Sequence, residues 1–501
     1  MRSICRATLF ALAGMLGACT MVGPDYQVPS DAVIQRTDAS ALFDLLDNAH
    51  VDQAPLPADW WKLYDDALLD RLVHEALANN TDVRLAYHNL RRAYEGFQMA
   101  HHAQEVEFGA AGSLARGQLS SESLALAEKI PVMNLADAGL SVGYQLDLFG
   151  KLKRAAESAG ASADASAAAL DAARITVVAQ VVRNYLAACH ASEELEIAEH
   201  SLGIQQQQLD VAKRLLAGGR GNEVDVARAR TQVETLRAEL SPFESKKAAA
   251  LYQIAALLAR TPGDLPAAVA ACNHAPQLAQ PLPVGDGGAL LKRRPDIRAA
   301  ERMLASATAD VGVATAMMYP EITLGASAGY TGMLEHMGDP ITRRWSFGPS
   351  ISWHSPTRVD RARVRAMEAG ADAALARFDG VVLDALRETQ TLLSHYAHDL
   401  QRNQALRDAR DAARRAADDT RRLYQEGRLA YLDSLDAERT LAAAEAALAD
   451  SAAQLSRDQV DLFLSLGGGW EGSGQAEIAA RHPVDALTDP WLSHMRVCDP
   501  S

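Results

Sequence analysis

Apolar positions along this chain change period in a fixed order, and the order occurs twice. Each cycle opens with apolar residues spaced for one face of a helix, passes through two stretches that alternate residue by residue, and returns to helical spacing for about a hundred residues. In the first cycle the alternating residues are Val106, Phe108, Ala110 and Leu114, then Leu140, Val142, Tyr144, Leu146 and Leu148. In the second they are Ile322, Leu324, Ala326, Ala328 and Tyr330, then Trp345, Phe347, Ile351 and Trp353, with small or polar residues between. Each run has about the nine to eleven residues of a tilted transmembrane strand. A small soluble antiparallel sheet fits the same alternation, because period two does not say what covers the apolar face.

The helical stretches from Lys151 to about Ala217 and from Thr357 to about Glu426 contain few glycines and no proline between their ends. Each predicts one helix on the order of 100 Å long. Gly218-Gly219 and Gly427 are stops, after which a second helix returns, to about Ala259 and about Leu466. The return helices carry heptad-like apolar spacing: Val233, Leu236, Leu240, Phe243, Ala250, Ile254 and Leu257 in one, Leu441, Leu448, Leu455 and Leu462 in the other. Pro242 predicts a kink in the first, and Gly467 to Gly469 end the second.

The two cycles are an internal repeat. Asp82-Val83-Arg84 with Ala86 corresponds to Asp296-Ile297-Arg298 with Ala300, and Gly219-Arg220 with Val224-Asp225 corresponds to Gly427-Arg428 with Leu432-Asp433. The boundaries that follow are a signal peptide over 1–18, an N-terminal segment over 19–64, a first repeat over 65–270, a linker over 271–289, a second repeat over 290–470 and an extension over 471–501.

Composition supports long, closely packed helices rather than a compact core: aromatics are 5%, and alanine recurs in runs such as Ala167 to Ala169 and Ala442 to Ala444. Arg2 and Arg6 precede an apolar stretch too short to span a bilayer, which ends in Leu16-Gly17-Ala18-Cys19. That ending resembles a bacterial lipobox, and implies that Cys19 is the acylated first residue of the mature chain. Thr20, rather than aspartate, follows it, as in lipoproteins sent to the outer membrane. After Cys19 no stretch of eighteen apolar residues occurs; the best candidate, Ile175 to Cys189, is broken by Arg183 and Asn184. Cys189, Cys272 and Cys498 are no disulfide framework, and no spacing supports a Cys272–Cys498 bridge. The formal net charge of -15 argues against nucleic-acid binding.

Four strands cannot close a barrel, and an open edge in lipid leaves backbone groups unsatisfied at several kcal/mol each. Chains must therefore combine. Two would give about eight strands with a filled interior; three would give about twelve, the smallest ring here that leaves a lumen.

With the plan in place, the motifs resemble those of the outer membrane factor family of TolC- and OprM-like exit ducts, in the lipoprotein branch that serves tripartite RND efflux systems. The residues that carry the likeness are Gly23-Pro24-Asp25-Tyr26, Trp60-Trp61 with Leu68 and Leu72, Leu146-Asp147-Leu148-Phe149-Gly150, Leu290 to Ile297, Tyr319-Pro320, and Leu466-Gly467-Gly468-Gly469-Trp470. The resemblance implies a mainly helical homotrimer, in which a 12-stranded outer-membrane β-barrel with four strands per chain continues into a helical periplasmic barrel. It implies a periplasmic adaptor and an inner-membrane RND-type transporter as partners, outer-membrane lipid around the barrel, and export of small toxic compounds. Two departures stand out. Trp353 to Asp360 replaces the family's usual Phe-Asp-Gly-Gly-Arg turn after the fourth strand, and Glu105-Val106-Glu107 lacks the proline that usually precedes the first strand.

Catalytic and cofactor signatures such as His-Glu-x-x-His, a Walker loop and Cys-x-x-Cys do not occur, so neither an enzyme nor a bound cofactor or metal is expected. Gly218 to Gly221 reads as a hairpin tip rather than a phosphate cradle, His101-His102 as a solvated helix end, and Arg293-Arg294 as a brace beside a helix start. The residues with a functional look lie just past the second tip. Asp433 and Asp436 are three apart, with Leu432 and Arg439 in the same neighbourhood. Matched to the family, they fall on an acidic periplasmic aperture and its apolar constriction; a plain solvated helix face fits them too. A type I protein-secretion duct on the same fold and a purely structural coiled-coil envelope lipoprotein remain alternatives to drug efflux.

Overall fold

The structure, a computed structural model, describes residues 21–36, 51–52, 54, 56–122, 125, 127–278, 282–285, 291, 293–426 and 428–468. The signal peptide, Cys19, Gly427, Cys498 and the C-terminal extension lie outside the described residues. The chain forms two compact units, one drawn from Met1–Ser30, Asn89–Ala167 and Ala299–Phe378, the other from Asp31–His88, Ala168–Arg298 and Asp379–Ser501.

The first unit holds the strands. β1 (Glu107–Gly117), β2 (Met133–Leu146), β3 (Glu321–Met333) and β4 (Arg343–Ser352) make one antiparallel sheet in chain order. Phe108 pairs with Val142, Val142 with Ala326 and Ala326 with Phe347. All four apolar sets therefore share one face. The facing rows run through Ser141, Ser327 and Ser346, where the last two hydroxyls lie 2.8 Å apart. On the same side Arg344 donates to Asp137 at 2.9 Å and to Thr331 at 2.7 Å. A soluble sheet would bury its apolar face against a core. Here Phe108 is 78% exposed, Trp345 81% and Phe347 72%, so no core of this chain covers the apolar face among the described residues. β1 and β4 each have one edge unpaired among the described residues.

Residues that precede the sheet are clasped beneath it. Gly23, at φ +87, crosses Gly312 so closely that a Cβ on Gly23 would come within 2.5 Å of the Gly312 Cα. Arg154, 1% exposed, lies beside this crossing and donates to Val22 O at 3.3 Å, Asp25 at 2.6 Å and Glu157 at 2.7 Å. The Tyr26 hydroxyl donates to Glu301 at 3.1 Å while the Arg302 guanidinium lies over the Tyr26 ring. The Gly23 to Tyr26 motif is thus a backbone clasp.

The joint after β4 departs from the family pattern by forming a capping box. Thr357 Oγ1 accepts from the N–H of Val359 at 3.1 Å and of Asp360 at 3.3 Å, while the Asp360 carboxylate accepts from the N–H and hydroxyl of Thr357 at 2.8 Å each. These donors, the backbone N–H first, hold the Asp360 carboxyl below its usual range. β1 starts at Glu107 even without the usual proline.

Helices α1 (Ala67–Asn79), α2 (Thr81–His102), α3 (Lys151–Ala217), α4 (Glu223–Leu257), α5 (Pro295–Ala316), α6 (Arg358–Gln425) and α7 (Tyr431–Ser465) complete the pattern. Their ends agree with the sequence reading to within a few residues. Pro242 lies inside α4, whose helical assignment runs on through it. In the second unit, Leu202, Leu209 and Ala212 of α3 pack against Ala229, Val233 and Leu236 of α4, the heptad residues of the first hairpin. The apolar stretch within α3 is long and apolar enough to cross a membrane by composition, yet Val177, Val178, Val181, Val182 and Leu186 are all buried in the protein.

Both tryptophans of the Trp60-Trp61 pair are buried: Trp60 stacks on Phe463 at 4.6 Å, and Trp61 donates to Asp70 at 2.9 Å. Arg294 donates to Ser465 O, Asp296 and Glu388, each at 2.8 Å, and Arg293 donates to Leu56 O at 2.9 Å. The basic pair is the brace its position suggested. The cysteines correct the sequence reading. Cys272 bonds to Cys189, with Cα atoms 5.0 Å apart, because the one-turn helix Ala267–Ala270 buries Val269 and brings the following residue pair back onto α3. A link across 83 residues restricts the unfolded chain and typically stabilises by about 2 to 4 kcal/mol.

One buried carboxylate is at odds with its setting. Asp458 of α7 is 3% exposed, accepts from Gln454 at 2.8 Å and faces Asp399 of α6, with His395 also near. Burial, then Asp399, pushes its pKa up from 3.8 to about 6. A carboxyl whose folded pKa is raised favours the fold fully below its unfolded pKa, and that contribution is lost as pH rises through about 6. Thermal unfolding of the purified protein should therefore show higher stability at pH 5 than at pH 7.5 from this group, and Asp458→Asn should flatten the slope; an unchanged slope would refute the assignment. The exposed apolar face leads to a second expectation. Arginine at Val142 or Leu324 should impair membrane insertion by about 2 to 4 kcal/mol near the midplane, whereas arginine at Ser141 or Ser327 should be tolerated. Equal yields of inserted protein from both sets would mean that the face does not meet lipid.

Candidate gate at the helical hairpin tips

The turn between α3 and α4 is built by Gly219, at φ +68, whose N–H donates to Leu216 O at 3.0 Å while Arg220 N–H donates to Leu215 O at 2.9 Å. This Schellman ending explains Gly218 to Gly221 without any ligand. The second tip repeats the longer bond, with Arg428 N–H donating to Leu423 O at 2.9 Å. The two return helices begin differently. Asn222 caps α4 by accepting from Asp225 N–H at 2.8 Å, but Ala430 gives α7 no side-chain cap. The acidic Asp433 in the first turn is left to complement the positive end of the helix.

The structure brings the four sequence-selected residues onto one face of α7. Leu432 is 48% exposed, and Asp433, Asp436 and Arg439 are exposed beside it. Ser434, Leu435, Glu438 and Leu441 form the opposite, buried face. Asp433 and Asp436 thus project away from their own protomer, where a second copy or solvent meets them.

Sequence reasoning missed what holds this face in place. Arg421 of α6 grips the buried Glu438 through Nε at 2.7 Å and through a second guanidinium nitrogen, and also donates to Asp418 at 3.1 Å. One heptad away, Arg414 donates to Glu445 at 2.6 Å. These pairs line a cavity of about 160 Å³ that also reaches Gln205 and Gln232 of the first hairpin. The Gln205 carbonyl on the cavity and the Ser434 hydroxyl on the buried face of α7 have no partner among the described residues. Burial and then Asp225 of α4 raise the pKa of Tyr424 on α6. The signal that could have revealed the brace is the seven-residue spacing of Arg414 with Arg421 and of Glu438 with Glu445, which sets complementary charges on facing seams. His101 and His102 end α2 exposed to solvent, His102 with Glu105 at 2.8 Å.

This geometry has close relatives. The family model for outer membrane efflux proteins matches residues 72–260 and 288–468. The chain is 31% identical to outer membrane protein OprJ of Pseudomonas aeruginosa, over 93% of this chain and 95% of that protein. The outer-membrane channel OprN superposes with a TM-score of 0.81 at 35% identity, covering 90% of this chain and 99% of that one. The open-state MtrE channel of Neisseria gonorrhoeae superposes with a TM-score of 0.78 at 25% identity, covering 90% and 99%. With two matched segments that take in both repeats, the chain belongs to the outer membrane efflux protein family.

Proposed function

We propose that this chain is the outer-membrane exit duct of a tripartite efflux pump, passing small toxic compounds through a channel shared by three copies. The observation that carries the reading is the four-stranded sheet whose apolar face is uncovered and whose two edges are unpaired. Channels of this family are homotrimers that work with adaptors and inner-membrane transporters. An RND-type transporter as the energy source follows from the resemblance of this chain to that branch. A coiled-coil tether would have no use for an exposed apolar sheet. A polypeptide-secretion duct keeps the same wall, and its test is the cargo.

In this reading residues 1–18 are removed, 19–64 carry the anchor, 65–270 and 290–470 are the two duct repeats, 271–289 link them and 471–501 extend beyond. The anchor is Cys19. Met21 packs over Gly150, and Val22 N–H donates to Phe149 O at 3.2 Å beneath the strands. Lipid on Cys19, two positions before Met21 in the sequence, adds membrane affinity. Mass spectrometry of the purified protein should find an acylated amino terminus at Cys19, and an unmodified terminus upstream of it would refute the anchor.

Three-fold symmetry brings three copies of Asp433 and Asp436 together where the hairpins converge, with Leu432 as an apolar constriction and Arg439 beside them. Carboxylates so placed repel one another and attract cations, so the mouth is narrow and cation-selective. Opening is an outward movement of the hairpins that separates the rings, a shift between packings with no chemical step in this protein. In planar bilayers the wild type should conduct poorly and prefer cations. Asp433→Ala with Asp436→Ala should bring the cation-to-anion permeability ratio towards about one, and Leu432→Ala should raise conductance. Wild-type conductance and selectivity in all of these variants would refute the gate while leaving the duct in place.

A further inference from the structure

The turn that departs from the family pattern leads into a helix start with the wrong charge for its place. Helix N-termini favour anions, yet Arg358, Arg361 and Arg365 occupy the first turns of α6. Their spacing of three and four puts them on one face, as a stripe about 10 Å long. All three are exposed, and none has an ion-pair partner among the described residues. Arg363, off this stripe, lies 3.8 Å from Asp360. The helix itself is capped by Thr357 and Asp360, so the arginines are not needed to start it.

What lies beside the stripe gives it a purpose. Arg361 borders an open hollow of about 460 Å³ lined by Met318, Tyr319, Pro320, Trp353 and Pro356. Trp353 continues the parity of Trp345, Phe347 and Ile351, so it belongs to the apolar face of the sheet, just past the end of β4. Its indole N–H donates to Met318 O at 3.2 Å, and Tyr319 stacks on Phe149 at 4.6 Å. Aromatic rings at strand ends mark the level of lipid headgroups. An apolar hollow at that level, bordered by Arg361 with Arg358 and Arg365 on the same helix face, complements an acyl chain joined to a phosphate.

We propose that Arg358, Arg361 and Arg365, with the hollow beside them, hold the headgroup phosphate of an anionic phospholipid in the leaflet that meets the periplasmic ends of the strands. The site rests on the barrel reading for its depth in the membrane. It fixes that depth from the protein side: the bound lipid pins the start of α6 to the membrane surface, independently of Cys19.

The test uses full-length trimers in nanodiscs of phosphatidylcholine alone or mixed with phosphatidylglycerol, with retained lipid counted by native mass spectrometry. Wild type should keep phosphatidylglycerol over phosphatidylcholine, and the triple variant Arg358→Gln/Arg361→Gln/Arg365→Gln should lose it by on the order of tenfold, with Lys at the three positions restoring part of the preference. Heat-modifiable migration of the same samples reports barrel insertion separately, so failure of the barrel reading is distinguishable from failure of the lipid site. Equal retention by inserted wild type and the Gln variant would overturn the proposal. So would release of the lipid by millimolar inorganic phosphate, which would make the stripe a site for free anions. If the Gln variant does not insert, phenylglyoxal labelling of wild type decides: protection of Arg361 in phosphatidylglycerol but not in phosphatidylcholine supports the site, and equal labelling overturns it.

Discussion

A four-stranded sheet with an uncovered apolar face and two open edges is stable in lipid only if other copies of the sheet close the ring. Each edge carbonyl or N–H left in hydrocarbon costs several kcal/mol. The remaining features follow from that closure. Three chains bring twelve strands, and the long helices α3 and α6 continue from strand ends through Gly150 and the Thr357–Asp360 box.

Within one chain, the contacts that hold the parts in register are close backbone approaches and buried cations. Gly23 against Gly312, with Arg154 bonded to the neighbouring carbonyls, seats the segment that leads from Cys19. Arg294 ties the start of α5 to the end of α7 and to Glu388, and Trp60 fills the space against Phe463. A buried guanidinium is costly unless its donors are satisfied, and in both places several acceptors meet it. The family motifs are thus clasps rather than a cargo-binding site.

The proposed gate depends on the same economy of buried charge. Asp433 and Asp436 are free to face other copies because Glu438, on the opposite side of α7, is held by Arg421. The same seam carries a small cavity, and Gln205 and Ser434 are buried beside it without partners among the described residues, which costs stability. In the proposed opening, these seams are what must rearrange.

Periodicity was enough to specify the elements. Long proline-free helices, their glycine stops and the alternating runs were legible because local propensity and amphipathic spacing act over neighbouring residues. The repeat, and the placing of Asp433 and Asp436 on one exposed helix face, were legible for the same reason. What periodicity left open was whether a core of the same chain covers the apolar side, and only the pairing of Phe108, Val142, Ala326 and Phe347 in one exposed row answered it. The Cys189–Cys272 bond, the Arg421–Glu438 brace and the raised pKa of Asp458 were likewise beyond reach. Each depends on residues 17 to 83 positions apart meeting at a few ångströms, and such meetings are set by how helices pack, not by the order of residues along any one of them.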